Sequence, residues 1–154
     1  LIVQDENFML GLVEAEDLEV AGIKLGASTF DLTWKYGDPD REEIIKYNKY
    51  GDIQGEKYLF YYPDFKLICY DDGEAGYRIV AASITGRNIK TTRGVSIGSS
   101  ETEVFERYGE IEKNNNWITY TSASDISKEI SFKIIKGEVA EIAIYYGNNP
   151  FDVE

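Results

Sequence analysis

The stretch Gly22-Ile23-Lys24-Leu25-Gly26-Ala27-Ser28 is answered further along the chain by Gly94-Val95-Ser96-Ile97-Gly98-Ser99-Ser100. The agreement continues in register: Leu32 with Val104, Tyr36 with Tyr108, Gly37 with Gly109, Asp38 with Glu110. Self-similarity of this kind sets the architecture to expect, because a repeated stretch folds as a repeated supersecondary unit. Each copy reads as a short helix between glycine turns. Ser28 and Ser100 can accept a free N–H of the first turn, and Asp31 and Glu103 stand at the third helical position of a capping box. Gly37 and Gly109 are placed to end the helices in the left-handed conformation. The spacing predicts helices over Thr29 to Tyr36 and Glu101 to Tyr108, with Leu32/Tyr36 and Val104/Tyr108 marking the packed face. At about two turns neither is stable alone, so packing must hold them.

Working outward, each helix is followed by β-like runs: Lys57 to Tyr62, Phe65 to Tyr70 and Tyr77 to Ile84 in the first copy, Trp117 to Thr121, Glu129 to Ile135 and Val139 to Tyr146 in the second. Pro63-Asp64, Asp71-Asp72-Gly73-Glu74 and Lys136-Gly137 supply turns between them. Glu42 to Tyr47 reads either as an extension of the first helical region or as an irregular edge. The expected fold is therefore α+β: two tandem αβββ repeats, forming an antiparallel sheet with short helices on one face. Residues 1–19, with six acids and no base, form an acidic arm or extra strand; 20–90 hold the first repeat and 91–154 the second.

Period-2 alternation assigns the sheet faces. In the second copy Ile118, Tyr120, Ile130, Phe132, Ile134, Ile142 and Ile144 point to the core; Trp117, Thr119, Ser131, Lys133, Glu141 and Tyr145 point away. In the first copy the expected core side is Leu59, Tyr61, Leu67, Cys69, Val80 and Ala82. Its other side, Tyr58, Phe60, Tyr62, Ile68, Tyr70 and Ile79, is too apolar for an ordinary wet surface.

Composition removes whole classes of function. The chain has 154 residues, 16 Lys+Arg against 28 Asp+Glu and no His, for a formal charge of −12. Phosphate affinity comes mainly from Lys and Arg, so nucleic acid is excluded as a partner, and an anionic membrane surface is disfavoured. Without His there is no Ser-His-Asp or Cys-His triad and no His-ligated zinc. The single Cys69 can form neither an internal disulfide nor a thiolate cluster, and on its core face it reads as a small inert hydrophobe. No apolar run reaches membrane-spanning length. The start at Leu1, without a basic and apolar leader, reads as a mature or trimmed chain.

The phrase Gly-x-hydrophobic-Gly-x-Ser, a helix ending in Tyr-Gly and three following strands resemble the tandem αβββ repeats of the β-lactamase inhibitor protein-like fold. The small outer-membrane lipoprotein (SmpA/OmlA) family shares that unit. Thr91-Thr92-Arg93-Gly94-Val95-Ser96-Ile97-Gly98 is also similar to a run in uncharacterised secreted or lipid-anchored proteins of Gram-positive bacteria. The resemblance spans Leu18 to Tyr146 and implies an extracytoplasmic bacterial protein, secreted or lipid-anchored, that binds partners through aromatic side chains of a sheet. The inhibitor's disulfides have no counterpart around the lone Cys69, and no inhibitory loop maps onto this sequence. Inhibition of β-lactamase is therefore not implied.

Twelve Tyr and two Trp supply amphipathic contact area of the kind that recognition surfaces use. The expected contact residues are Tyr58, Phe60, Tyr62, Tyr70, Trp117 and Tyr145, on a non-enzymatic binding or structural module. The expected partner is a protein or cell-envelope component of basic or neutral character, or a second copy of the chain. The alternative is a hydrolase using paired carboxylates in a cleft. No catalytic residue, metal site or cofactor is read from the sequence: Asp38-Pro39-Asp40 with Glu42 has Glu43 where a calcium loop needs Gly, and no phosphate loop follows Gly26 or Gly98. Phe30 and Trp34 correspond to Thr102 and Glu106 on the second helix, and packing between the repeats is the expected use of that extra apolar face.

Overall fold

Alternating β-branched and aromatic residues build most of this chain into strands, with glycine turns admitting two short helices. The computed structural model describes residues 10–50, 53–71 and 76–152, at 48–50 and 53–54 for the backbone alone. In order these form β1 (Leu12–Val13), a 3₁₀ turn (Ala15–Leu18), β2 (Glu19–Val20), β3 (Ile23–Lys24), α1 (Phe30–Tyr36), β4 (Arg41–Tyr50), β5 (Ile53–Tyr61), β6 (Phe65–Asp71) and β7 (Tyr77–Ile84). There follow α2 (Glu101–Tyr108), β8 (Trp117–Ser122), β9 (Lys128–Ile135) and β10 (Glu138–Tyr146). Eight strands make one sheet in the order β1-β8-β9-β10-β7-β6-β5-β4, and β2-β3 is a small separate pair.

The expectation of two tandem αβββ repeats in an antiparallel sheet is not met. Four strands, not three, follow α1, because Glu42 to Tyr47 lies within β4, paired along its length with β5. The sheet is mixed: β1 runs parallel to β8, with Leu12 beside Thr121 and Val13 beside Ser122. It is also continuous, since β7 and β10 pair from Ile142 opposite Ile84 to Tyr145 opposite Ala81. The turn expected at 71–74 and the first nine residues of the acidic arm lie outside the described residues, except for Asp71 at the end of β6.

What does recur is local. Gly26 N–H donates to Ile79 O and Gly98 N–H to Val139 O, while Thr29 and Glu101 donate to Tyr77 and Gly137 carbonyls. Each Gly-x-Ser turn is thus bound to the start of the strand that closes its half. Ser100 caps α2 as its position demands, its Oγ accepting from Glu103 N–H at 3.0 Å. In α1 the cap position is Thr29, and Ser28 Oγ accepts from Phe30 N–H at 3.2 Å instead, so the helix begins one residue later than its pattern suggests. Gly37 and Gly109, at φ 77° and 105°, end the helices in the region that L side chains disfavour.

One core joins both halves. Leu32, Leu67, Cys69, Ile79, Val104, Tyr108, Ile118, Tyr120, Ile130, Phe132, Ile142 and Ile144 are buried together. At its centre the rings of Tyr108, Tyr120 and Phe132 meet at centroid distances of 5.2, 5.0 and 6.1 Å. Their polar tips are satisfied: Tyr120 donates to Gly109 O at 2.6 Å and Tyr108 to Thr91 Oγ1 at 2.8 Å. The N-terminal segment is fastened to this core by an ion pair. Buried Asp17 accepts from Arg93 Nε at 3.0 Å and Nη2 at 2.7 Å, from Thr92 Oγ1 at 2.9 Å and from Glu14 N–H at 2.9 Å. The guanidinium also lies 4.8 Å from the Tyr108 ring centroid.

Candidate binding cleft

Sheet register decides which aromatic side chains can act together. Tyr58 stands opposite Cys69 and Phe60 opposite Leu67, so these tyrosine and phenylalanine rings share the helix-bearing, core side of the sheet. Between Ile68 and Cys69 the pairing with β7 shifts, leaving Val80 as a bulged residue; Ile79 then joins Cys69 on the core side and Ala81 joins Ile68 on the other. The assignment of Leu59, Tyr61 and Val80 to the core and of Tyr58, Phe60, Tyr62 and Ile79 to the outside is thereby corrected. A one-residue offset reverses every side chain of a strand, and an alternation pattern contains no mark of a bulge.

The six expected contact residues therefore divide between two faces. Tyr58, Phe60 and Tyr62 lie on the helix side, while Tyr70, Trp117 and Tyr145 lie on the opposite one. Trp117 and Tyr145 are only 3% and 2% exposed, packed with Ala81, Ala143 and Phe151 of the C-terminal segment. Burial pushes the Tyr145 hydroxyl up to about 12, and it shares a 2.6 Å hydrogen bond with Ser131 Oγ. These two side chains are beyond the reach of a partner while that segment is in place. Tyr70 is exposed but stands apart from the other three.

The helix side holds a cleft. Tyr62 stacks on Phe65 at 4.6 Å and meets Tyr36 of α1 at 6.3 Å, fixing the helix over the end of β5. Beyond the helix Tyr77 lies against Phe60 at 5.1 Å and against Tyr58 at 4.7 Å, with Phe60 buried and the two tyrosine rings half-buried. Between them lies a cleft of about 310 Å³, walled by Thr29, Phe30 and Thr33 and floored by Phe60, Tyr62 and Tyr77. Asp38 and Glu42 line it too, and neither carboxylate has an ion-pair partner among the described residues.

The tyrosines in this field remain protonated. Burial and then the Glu42 carboxylate raise the Tyr77 hydroxyl above its ordinary value, and burial, Cys69 and Asp38 raise that of Tyr62. The hydrogen bond to Glu56 at 2.7 Å, followed by burial, pushes Tyr58 up to about 12. All three are hydrogen-bond donors at neutral pH. Cys69, on the floor of the same sheet, is fully buried, and burial pushes its thiol up to about 12, so it is no nucleophile. No group of metal-ligating side chains occurs among the described residues.

Helix α1 adds what the sequence reading placed elsewhere. Phe30 is 65% exposed and Trp34 80% exposed, so they do not pack between the two halves as expected. With Thr33 they form a second apolar surface beside the cleft. The signal for them is in the sequence: α2 has Thr102 and Glu106 at the matching places. A helix in this setting does not require rings there.

No family model matches the chain, and no curated protein does. Among solved structures, it is similar to an extracellular protein containing an SCP domain from Bacillus anthracis, with a TM-score of 0.50 and 12% identity over 95% of this chain and 48% of that one. A cysteine-rich secretory protein from Staphylococcus aureus matches with a TM-score of 0.48 and 16% identity, over 86% of this chain and 48% of that one. The chain thus spans about half the length of each. The fold is shared with part of the Bacillus protein, and this overturns the resemblance to β-lactamase inhibitor protein-like and SmpA/OmlA repeats. Glycine-serine capping phrases are short and locally determined, so they recur in sheets of unrelated topology. Among the described residues, no helix is long and apolar enough to cross a membrane.

Proposed function

We propose that this chain is a non-enzymatic, extracytoplasmic recognition module that binds a basic segment of another protein at the cleft beside α1. The observation that carries the reading is the exposure of Phe30 and Trp34 next to an aromatic cleft, where the second helix has polar residues. Large exposed rings grouped around a concavity mark interaction surfaces, whereas single ones do not. Asp38 and Glu42 give the cleft its sign, and a Lys or Arg side chain entering it gains both a carboxylate and aromatic faces. The extracellular protein that shares the fold supports the placement outside the cytoplasm. Of the residues expected from the sequence, Tyr62 lines the cleft as a contact, Phe60 forms its buried floor and Tyr58 stands beside it; Phe30, Trp34, Tyr77, Asp38 and Glu42 join them as contacts.

The test replaces the rings with the residues of the twin helix, Phe30→Thr and Trp34→Glu. Both versions are titrated against a panel of basic, neutral and acidic peptides that carry one aromatic or aliphatic anchor. Wild-type protein is expected to prefer the basic peptides, and the double variant to bind them at least about tenfold more weakly, the scale of one lost aromatic anchor. Its stability should stay within about 0.5 kcal/mol of wild type, because both sites are exposed. Equal binding by the two proteins, or no preference for basic peptides, overturns the reading.

A further inference from the structure

β4 is the last strand of the sheet, and its backbone is paired on one side only among the described residues. Such an edge is a template for another strand, and proteins ordinarily guard it with charges that make pairing unfavourable. The charges of β4 are arranged differently. On the helix side of the sheet it presents Glu42, Ile44 and Lys46, opposite Phe60, Tyr58 and Glu56 of β5. On the other side it presents Arg41, Glu43, Ile45 and Tyr47. Ile44 is 53% exposed and Ile45 41%, so the edge carries exposed aliphatic side chains on both faces.

We infer that β4 is a self-complementary edge through which two copies of this chain pair as an antiparallel dimer, with the two-fold axis passing beside Ile44. A two-fold axis normal to the sheet keeps each residue on its own face, so a residue can oppose only residues of the same parity in the other copy. With the axis at Ile44, the isoleucines face each other, Glu42 faces the second copy's Lys46, and Lys46 faces its Glu42. On the other side Arg41 comes opposite Tyr47 in both directions, a cation-on-ring arrangement that Arg41 already makes with Tyr61 at 4.0 Å within the chain.

The neighbouring registers lack this match. Centring on Glu43 sets glutamates opposite one another, and centring on Lys46 sets lysines opposite one another; both are repulsive. Centring on Ile45 places Ile44 against Lys46 and Glu43 against Tyr47, with no ion pair. One register alone satisfies charge and aliphatic contact together. It joins two eight-stranded sheets into one continuous surface. Glu42 lines the cleft as well, so the pairing and the cleft share that carboxylate, and association is measured without any peptide present.

Sedimentation velocity on the whole chain at physiological ionic strength, over a concentration series into the millimolar range, tests it. Wild-type protein is expected to show a monomer–dimer equilibrium. Lys46→Glu and Glu42→Lys each turn two attractive cross-strand pairs into repulsive ones and should weaken association about tenfold to a hundredfold. The double exchange, Glu42→Lys with Lys46→Glu, restores opposite signs across the axis and should recover most of the lost association. Lys46 also faces Glu56 in its own hairpin, so each variant's melting temperature is read alongside. Ile44→Asp, at an exposed position, gives a second route to the monomer. A monomeric wild type, a dimer indifferent to both single reversals and to Ile44→Asp, or a double exchange no better than the singles overturns the inference.

Discussion

Phe132→Ala is expected to lower the unfolding free energy by about 3–5 kcal/mol, the range for removing a fully buried ring without filling the space it leaves. Phe132 is fully buried at the centre of the fold, against Tyr108 from α2 and Tyr120 from β8. Neither neighbour is free to collapse into the void, because each hydroxyl is held, Tyr108 by Thr91 Oγ1 and Tyr120 by Gly109 O. A domain of this size has about 5–15 kcal/mol of stability in all, so the loss is a large fraction of the total. Urea titration followed by near-ultraviolet circular dichroism reads the change. Phe132→Leu, which keeps most of the volume, should cost clearly less. A loss below about 1 kcal/mol for the alanine variant, the level of a surface change, would place the ring outside the core.

Asp17→Ala is expected to cost about 2–3 kcal/mol. Breaking one side of a buried ion pair typically costs about 3–5 kcal/mol, and the partial exposure of Arg93, at 26% of its side chain, reduces the penalty for the cation left behind. The same group predicts an acid dependence. Burial raises the Asp17 pKa, but the hydrogen bonds from Arg93, Glu14 N–H and Thr92 outweigh it, and the net value lies below the ordinary carboxylate value of 3.8. A carboxylate whose pKa is lower in the folded state stabilises fully above its unfolded pKa, and that contribution fades as pH falls through its folded one. The stability gap between wild type and Asp17→Asn should therefore be constant from neutral pH down to about 5 and shrink below about 4. A gap that widens on acidification would mean that burial dominates and the pair is absent.

Much of the local structure was legible in the residues, and the reasons are physical. Ser100, Glu103 and Gly109 mark α2 at both ends because a serine oxygen accepts a free first-turn N–H, an acid suits the first turn and glycine takes the left-handed backbone that ends the helix. The second half's core face, from Ile118 to Ile144, follows from strict alternation over strands whose one bulge, between Val139 and Glu141, precedes the run Ile142 to Ile144. In the first half the bulge at Val80 falls inside β7 itself, so strict alternation puts Ile79 on the wrong face.

The site was legible in composition more than in position. Tyr58, Phe60 and Tyr62 do lie together near the cleft, yet for a different reason from the expected one, since they share the helix side and not an outer face. The burial of Trp117 and Tyr145 is not written in strand alternation, because Phe151, which packs on them, lies beyond the last strand. The Phe30/Trp34 asymmetry was legible; its direction was not. A ring on a short helix can face a neighbouring layer or solvent, and only topology separates the two. The long edge strand β4 was undecided for a related reason, since its run of charged residues hides the aliphatic pair Ile44-Ile45 that favours extended backbone.

The claim that the face of α1 is a recognition surface rests on Trp34 being open in the free protein and covered in the complex. Quenching of tryptophan fluorescence by acrylamide measures this directly, because the other tryptophan, Trp117, is buried and serves as an internal reference. The free protein is expected to show two emitting populations, one quenched as readily as free tryptophan, and to lose that accessible population when a basic peptide is bound. A free protein with no accessible tryptophan, or a complex in which Trp34 is quenched as before, would contradict it.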